Sequence, residues 1–332
     1  MNATIKLENE KHFPVLLEKI ISIISPLYGG TFIDCTFGQG GYSTKILEDK
    51  RNNIIALDRD KDVLTNVSKL QKKYYKRFKF YNLKFSQLNQ IKLKDHKIKG
   101  IIFDLGYSLN QIKNSQKGLS FSDKGKLNMK MGINDFSADD VISKMDENNL
   151  TKVFKVFGDE KYSKKIAKEI VKKRKVKIIK TEDLVKIIDG IKKYQKTKIH
   201  NSTKVFQALR ILVNKEISEL INGLVNSFNL IPVGSVIAVV TFHSIEDKIV
   251  KFFFKHYSEQ RNSSRYFPEA EISERCFKLI HKKPILPSSN EIKQNPPSRS
   301  AKLRYGIKIN KNCDFNDFRE KFKNLINIED LR

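Results

Sequence analysis

The stretch TFIDCTFGQGG, residues 31–41, decides the fold of this chain. Half of its first six residues are apolar and predict a short buried strand, and Gly38, Gly40 and Gly41 follow closely. Glycine accepts backbone angles that other residues avoid, and it lets a ligand approach the main chain closely. A strand, a glycine-rich turn and a helix expected to begin near Ser43 predict the first unit of an α/β sheet with a ligand site at its edge.

The rest of the chain supplies the other strands of such a sheet. We expect them at residues 53–58, 78–83, 100–105, 235–242 and 304–309, where short apolar runs are bounded by polar or turn residues. A helix is predicted over residues 12–24, with Pro14 in its first turn. Because strands and helices alternate over the first part of the chain, the sequence predicts a doubly wound parallel sheet.

The alternation stops at about residue 114 and does not return before residue 203. The segment between them is basic and predicted to be helical, and an amphipathic stripe over residues 205–228 predicts one long helix after it. We therefore predict three segments. They are a first part of the sheet-containing core over residues 1–113, a helical insertion over 114–202 whose basic charge suits contact with RNA or substrate, and a second part of the core with an extended tail over 203–332.

The composition favours a polyanionic partner. The chain has 332 residues, with 64 Lys and Arg against 37 Asp and Glu, and its formal net charge is +27. Each phosphate that a protein neutralises releases counterions, so an excess of this size is typical of a nucleic-acid-binding protein. Part of the excess, such as the run over residues 168–180, could equally solvate a helix face, and this alternative stays open.

The sequence also disfavours several classes of site. Cys35, Cys276 and Cys313 lie far apart without a Cys-x-x-Cys pair, so we predict neither a zinc site nor a disulfide framework. The N-terminal residues are polar and contain no apolar signal core, and no stretch reaches the roughly 18 apolar residues of a membrane span. We therefore expect a cytoplasmic protein with no membrane partner and no metal ion.

The spacing of Asp58 from the glycines indicates a nucleoside-containing cofactor. Asp58 ends the second predicted strand and lies 20 positions after Gly38, where an acid can reach ribose hydroxyls. Enzymes that use NAD and enzymes that use S-adenosylmethionine share this pattern, but Ser43 stands where the dinucleotide fingerprint has its third glycine. The pattern favours a methyltransferase over an NAD-dependent oxidoreductase, and a tight turn without a ligand stays open.

Several longer blocks resemble one known family. They are HFPVLLEKII (12–21), GGTFIDCTFGQGGYS (29–43), FDLGYSLNQI (103–112), GLSFSDKGKLNMKM (118–131), TKVFQALRILVNKE (203–216), TFHSIEDKIVKFF (241–253) and NPPSRSAKLR (295–304). Together and in this order they resemble the bacterial 16S rRNA cytosine-N4-methyltransferase family, MraW/RsmH. The resemblance covers nearly the whole chain, and a series of blocks is far more specific than one glycine loop.

The resemblance implies a Rossmann-like class I methyltransferase that uses S-adenosyl-L-methionine. The implied acceptor is the exocyclic N4 of a specific cytosine in 16S rRNA of the small ribosomal subunit, near the decoding centre. Such a base has to leave its stack to enter the site. A homodimer stays open. A non-catalytic RNA-binding protein with the same fold is a further alternative, which the intact glycines, Asp58 and Asp104 disfavour.

The resemblance also assigns the residues of the site. Phe85 is expected to border the adenine of the cofactor. Asp104, at the end of the fourth predicted strand, is the expected catalytic residue, because a carboxylate can accept a hydrogen bond or a proton from the reacting amine. The residues that match the family's cofactor contacts are Gly40, Gly41, Tyr42, Asp58, Phe85, Asp104 and Gln111.

Four positions depart from the family pattern. Tyr42 stands where the family usually has His, so a backbone contact to the cofactor would survive, whereas a side-chain contact does not carry over. Asn128 and Gly132 replace acids, and Lys130 replaces Arg. Any role of those acids in placing the substrate is therefore not assigned to this chain.

Some residues resemble functional motifs but have simpler interpretations. The residues of HSIED (243–247) are too close in sequence for a hydrolase triad, and Ser244 and Asp247 predict a helix cap. The sequence NPPS (295–298) resembles a motif of amino-methyltransferases, but no apolar run precedes it, so it predicts an extended linker. Residues suited equally to base stacking and to packing are Phe121, Met129 and Met131.

Overall fold

The computed structural model describes residues 14–91, 97–107, 111–112, 114–121, 125–132, 134–176, 180–193, 199–259 and 275–331. Its strands are β1 (Gly30–Asp34), β2 (Asn52–Leu57), β3 (Phe78–Tyr81), β4 (Ile98–Asp104), β5 (Val236–Thr241), β6 (Phe277–Lys278) and β7 (Lys302–Lys308). They form one seven-stranded sheet in the order β3-β2-β1-β4-β5-β7-β6.

Strands β1 to β5 are parallel to one another, and β7 runs antiparallel to both β5 and β6. All the predicted strands are confirmed to within two residues, whereas β6 was not predicted. The chain moves outward from β1 through β2 to β3 and then returns to the other side of β1 with β4. This reversal between β1 and β4 opens a crevice at the carboxyl ends of the strands, which is where such sheets bind ligands. The predicted doubly wound α/β fold is confirmed.

Helices cover both faces of the sheet. In chain order they are α1 (Leu17–Ile24), α2 (Gly41–Leu47), α3 (Leu64–Lys73), α4 (Ala138–Lys144), α5 (Glu147–Gly158), α6 (Ser163–Arg174), α7 (Thr181–Ile191), α8 (Thr203–Asn214), α9 (Glu216–Leu230), α10 (Ser244–His256), α11 (Ser289–Gln294) and α12 (Asn316–Glu329). None of the helices in the described ranges is long and apolar enough to span a membrane.

Successive residues of the central strands alternate between two hydrophobic clusters. Phe32 of β1 packs with α1, α2 and α3 on one face, and the next residue, Ile33, packs on the other face with α8, α9 and α10. Helices α4 to α7 of the insertion add Phe154, Ile166 and Leu184 to that second cluster. The insertion therefore shares its apolar core with the sheet instead of enclosing a separate one.

Two of the predicted helices have different boundaries in the structure. The first begins at Leu17, because Leu16 has a left-handed φ of 55°, so Pro14 lies outside the helix and not in its first turn. The long helix predicted over residues 205–228 is divided into α8 and α9 at Lys215, whose φ is 50°. The side-chain amide of Asn214 donates to the carbonyl of Met129 in another segment, and this tertiary contact accompanies the break.

The described residues contain one disulfide, which the sequence did not predict. Cys276 and Cys313 are joined by a disulfide with a Cα–Cα distance of 6.0 Å, and Cys35 is buried and free. The antiparallel pairing of β6 and β7 brings together two segments that are 37 positions apart, and no short sequence motif records such a pairing.

The prediction of an extended tail was also wrong. The C-terminal tail contains α11 and a 3-10 turn over Pro296–Ser300. Oε1 of Glu291 accepts a hydrogen bond of 2.6 Å from the backbone N–H of Leu16, so the tail fixes the start of α1. Likewise, α-helix in the insertion begins only at Ala138 among the described residues, and not near residue 114.

Candidate active site

The glycine loop joins the end of β1 to the start of α2. Gly38 and Gly40 have φ values of 52° and 77°, which residues with a side chain rarely adopt. A Cβ atom on Gly41 would lie 2.1 Å from Cγ of Pro14, so this position cannot carry a side chain where the N-terminal segment crosses the loop. The glycines are therefore required both by the turn and by this close approach.

Asp34, the last residue of β1, lies fully buried beneath the loop. Its Oδ2 accepts a hydrogen bond of 2.7 Å from the hydroxyl of Ser43, and its Oδ1 accepts from the backbone N–H of Thr36. Burial raises the pKa of the Asp34 carboxyl to about 6 against the effect of these hydrogen bonds. The site prediction omitted Asp34, although its position directly before the glycine loop was a signal that could have identified it.

Asp58 follows β2 and binds the same loop. Its Oδ2 accepts from the backbone N–H of Gly38 at 2.8 Å, and its Oδ1 accepts from the N–H of Asp60, also at 2.8 Å. Burial is the main cause that raises the pKa of Asp58 to about 6. The carboxylate thus lies at the loop, as predicted, and its contact with a ribose stays a prediction.

Asp104 ends β4 and completes a row of three acids. Its backbone N–H donates to Oγ1 of Thr36 at 2.7 Å, which ties β4 to the loop after β1. The residue is partly exposed, but its Oδ1 atom is buried and has no hydrogen-bond partner. Burial raises the pKa of Asp104 to about 8, the charge of Asp34 raises it further, and the neighbouring Tyr42 hydroxyl opposes the rise.

Tyr42 connects this row to the N-terminal segment. The side chain is 3% exposed, and its hydroxyl donates to the carbonyl of Val15 and lies beside the Asp104 carboxyl. Burial raises the pKa of the Tyr42 hydroxyl well above its usual range, so it stays protonated. The Tyr that replaces the family's His therefore serves as a buried hydrogen-bond donor, and its contact with a cofactor stays a prediction.

Phe85 and Gln111 make contacts that were not predicted from the sequence. The Phe85 ring packs edge-on against Phe103 with centroids 5.3 Å apart, and a Cβ atom on Gly223 would lie 2.5 Å from the Phe85 ring. Nε2 of Gln111 donates to Oδ2 of Asp60 at 2.6 Å. Asp60 lies two residues after Asp58, which places Gln111 near the site, and the cofactor contacts of both residues stay predictions.

The departures at Asn128 and Gly132 have local structural reasons. Gly132 has a φ of 75°, and a Cβ atom there would lie 1.9 Å from the carbonyl oxygen of Arg59, so an acid does not fit this backbone. Oδ1 of Asn128 accepts from the N–H of Lys130 at 3.2 Å and holds the turn. Both residues stabilise the loop that crosses the edge of the sheet beside Asp58.

A buried ion-pair network lies next to Asp104. Arg210 donates to the two oxygens of Glu216 at 2.7 and 2.9 Å, and Nε2 of His243 lies 3.1 Å from Oε1 of Glu246. The two carboxylates raise the pKa of His243 to about 9 despite its burial, so the two cations balance the two anions. Glu216, His243 and Glu246 are close enough together to hold a metal ion, but this balance of charge accounts for them without one.

The cap of α10 differs from the predicted one. His243 is the N-cap residue, and Glu246 Oε2 accepts a hydrogen bond of 2.8 Å from the backbone N–H of Phe242. The cap predicted from Ser244 and Asp247 was therefore wrong by one residue. Asp247 instead pairs with Arg304 and Lys302 on β7.

Packing, not base stacking, explains the remaining candidates. Met129 and Met131 are 0% and 6% exposed, and Phe121 stacks on His200 with centroids 4.5 Å apart. The two methionines are therefore buried in the core, and His200 covers one face of the Phe121 ring.

A groove between α6 and α7 carries the exposed part of the basic run. Its lysines are Lys165, Lys168, Lys172, Lys173 and Lys186, and Glu169 adds one acid. Arg174, by contrast, donates to the carbonyls of Ile142 and Met145 at 2.9 and 2.6 Å, so it fixes the end of α4. We call the five lysines the lysine groove.

Comparison with known proteins gives consistent matches over most of the chain. A model of the MraW methylase family matches residues 9–309. The chain is 39% identical to ribosomal RNA small subunit methyltransferase H of Bartonella quintana (strain Toulouse), over 92% of this chain and 91% of that protein. It is 38% identical to the protein of the same name in Rickettsia prowazekii (strain Madrid E), over 91% and 99%.

Solved methyltransferase structures match the chain at low sequence identity. An rRNA methylase from Streptococcus thermophilus is 11% identical, with 91% of this chain and 100% of that chain covered and a TM-score of 0.36. An S-adenosylmethionine-dependent O-methyltransferase from Thermotoga maritima is 8% identical, with 93% and 70% covered and a TM-score of 0.40.

Proposed function

Because the chain belongs to the MraW methylase family, we propose that it methylates 16S rRNA of the small ribosomal subunit with S-adenosylmethionine. The acceptor we propose is the exocyclic N4 of a cytosine near the decoding centre. The observation that carries the proposal is the row of Asp34, Asp58 and Asp104 at the carboxyl ends of β1, β2 and β4, within a chain that matches this family almost from end to end.

The residues present fit this cofactor. Three carboxyls that are buried or half-buried and have raised pKa values favour a cationic ligand, and the Oδ1 atom of Asp104 is buried without a partner. When bound, S-adenosylmethionine supplies a methyl group on a positively charged sulfur. Asp58 and the amides of the glycine loop would hold the nucleoside, and Asp104 would face the reacting centre.

Asp104 is the residue that we assign to the chemical step. The lone pair of the cytosine amine is delocalised into the ring, so the amine is a poor nucleophile and becomes more acidic as the new N–C bond forms. A positive charge on the cofactor beside Asp104 would favour the ionised form of this carboxyl, whose Oδ1 could then accept the N4 proton or a hydrogen bond from it. Thr36 holds the backbone N–H of Asp104, and the Tyr42 hydroxyl lies beside its carboxyl, so the end of β4 is positioned before the substrate arrives.

The insertion over residues 114–202 is proposed to contact the RNA. The lysine groove lies on α6 and α7, and its exposed ammonium groups can neutralise backbone phosphates without reading sequence. The sheet segments over 1–113 and 203–332 would hold the cofactor and the reacting base. On this basis the enzyme works on ribosomal subunits in the cytoplasm. Sedimentation velocity decides whether the chain is a monomer or a homodimer.

Methylation of purified small subunits tests the proposal directly. We expect one methyl group per subunit from labelled S-adenosylmethionine, and N4-methylcytidine in the nuclease digest by mass spectrometry. Calorimetric titration with S-adenosylmethionine and NAD separates the alternatives, because an oxidoreductase binds NAD and a non-catalytic RNA-binding protein binds neither. Methylation of another atom, or binding of NAD alone, contradicts the proposed function.

A further inference from the structure

The side chain of Tyr107 is a large ring left exposed beside the row of acids. It follows Asp104 by three residues, and its exposed fraction is 44%. Gly106, with a φ of 102°, turns the chain between them. Three residues of chain span at most about 10 Å, so the ring lies within the reach of one nucleoside from the Asp104 carboxyl.

The guanidinium group of Arg210 covers one face of the Tyr107 ring. The guanidinium carbon of Arg210 lies 4.8 Å from the centroid of the Tyr107 ring. Arg210 is only 7% exposed, and its two hydrogen bonds to Glu216 prevent it from moving away. Since Arg210 covers one face, the exposed surface of Tyr107 belongs to the other face and the ring edge.

We propose that the open face of Tyr107 is the platform on which the target pyrimidine stacks while its amine faces Asp104. This inference rests on the proposed function, because it names the contact that places the base. An aromatic face stacks on any base, and a ring already immobilised by Arg210 loses little conformational entropy when it does so. Arg210 is then a positioning residue for Tyr107 and does not touch the base itself.

A tryptophan reporter tests the contact independently of methylation. The chain contains no tryptophan, so Tyr107→Trp places a single fluorophore on the platform. The probe is a short single-stranded uridine oligonucleotide with one central cytosine, and its partner is the same oligonucleotide with an abasic residue there. We expect the cytosine oligonucleotide to quench the fluorescence and the abasic one to leave it unchanged.

Tyr75→Trp is the matched control for this reporter. Tyr75 is 80% exposed and lies between α3 and β3, at the opposite edge of the sheet. Its fluorescence should not respond to either oligonucleotide. Equal quenching at both positions, or at position 107 with both oligonucleotides, would overturn the proposal.

Steady-state kinetics on small subunits provide the second test. Tyr107→Ala should raise the KM for the subunit by about 5- to 150-fold, the effect of removing one base-stacking interaction. Tyr107→Phe should restore the KM, and cofactor affinity should be the same in all variants. A normal KM in folded Tyr107→Ala shows that the ring only covers Arg210 and overturns the inference. If the wild type methylates no cytosine at all, it is the proposed function that fails.

Discussion

The hydroxyl of Ser43 donates a hydrogen bond of 2.7 Å to the buried Oδ2 of Asp34. Ser43 occupies the position that the dinucleotide fingerprint gives to its third glycine, where the helix packs closely on the strand. Here the position instead holds a hydroxyl that stabilises an acid at the end of β1. Ser43, the residue that disfavoured an NAD-binding site in the sequence, therefore also stabilises the first acid of the row.

Replacing Ser43 by Ala should destabilise the protein. The change leaves Oδ2 of Asp34 without its side-chain donor in a fully buried position, and a buried polar group without its partner costs about 1–3 kcal/mol. Urea unfolding measures the difference. Ser68→Ala is the control, because the Ser68 hydroxyl is exposed on α3 and donates only to the carbonyl of Leu64. Equal stability of the two variants would show that the Ser43 hydrogen bond contributes nothing.

The sheet was predictable because its signals are local. Buried parallel strands appear as short apolar runs, and β1, β2 and β4 each lead into an acid or end in one at the same edge. Sequence spacing placed Asp58 near the glycine loop, and the end of a predicted strand together with the family resemblance placed Asp104 there.

The other features depend on tertiary contacts. The apolar stripe over residues 205–228 continues through the break at Lys215, so helical periodicity could not reveal it. The pairing of Cys276 with Cys313 depends on β6, a two-residue strand too short to give a signal. The importance of Tyr107 depends on Arg210, which lies more than a hundred positions away, so no local pattern indicates it.

Stability should fall as the pH rises, because several acids hold their protons more tightly in the folded protein. Folding raises the pKa of Asp34 and Asp58 to about 6 and that of Asp104 to about 8. An acid with a raised pKa contributes most stability below its ordinary pKa of about 4, and this contribution is lost as the pH rises through the folded value. We therefore expect the free energy of unfolding to decline between about pH 4 and pH 8.

Asp104→Asn isolates one part of that decline. The contribution of Asp104 is lost over the whole range from about pH 4 to pH 8, whereas Asp34 and Asp58 titrate mostly near pH 6. The variant should therefore flatten the whole decline, and its effect should be clearest between pH 6 and pH 8. His243 has its pKa raised to about 9, so its contribution is also lost as the pH rises, but it is common to both proteins. Urea unfolding in steps of half a pH unit makes the comparison. Parallel curves for the two proteins would contradict the raised pKa of Asp104.

Asp58→Ala should weaken S-adenosylmethionine binding by about 1.5–3 kcal/mol, as expected when a hydrogen bond to a charged group is removed. The carboxylate also holds the N–H groups of Gly38 and Asp60, so the glycine loop loses its anchor. Asp58→Asn keeps one oxygen acceptor and should lose less. Calorimetry measures both, with thermal unfolding as the check on folding. Unchanged affinity in folded Asp58→Ala removes Asp58 from the cofactor site.

Neutralising the lysine groove should weaken RNA binding and its salt dependence. In the triple variant, Lys165, Lys168 and Lys172 are each replaced by Gln. We expect the slope of the logarithm of the RNA-binding constant against the logarithm of the salt concentration to fall in magnitude by roughly 0.7–0.9 for each phosphate that is no longer neutralised. Cofactor affinity should be unchanged. Fluorescence anisotropy with an rRNA fragment over a range of salt concentrations measures the slope.

The matched control changes the same number of exposed lysines on the other side of the molecule. Suitable residues are Lys69, Lys72 and Lys76, on α3 and the turn after it. Arg174 is kept intact in both variants, because its hydrogen bonds to Ile142 and Met145 are structural. If both triple variants change the slope equally, the lysine groove has no special role and the net charge alone attracts the RNA.

Asp104→Asn separates chemistry from binding at the centre of the site. The substitution keeps the size of the side chain but removes the negative charge that would accept the N4 proton at the buried Oδ1 position. If the carboxylate acts in the chemical step, the single-turnover rate at saturating cofactor and saturating small subunit should fall by roughly 10²–10⁴-fold. If Asp104 only holds the cofactor, affinity should fall while the rate at saturation stays nearly normal. Asp247→Asn is the control, because Asp247 pairs with Lys302 and Arg304 on β7, away from the acidic row. A rate for Asp104→Asn within about threefold of wild type, far smaller than the loss expected of an acid–base group, would end the catalytic assignment and leave Asp104 as a binding residue.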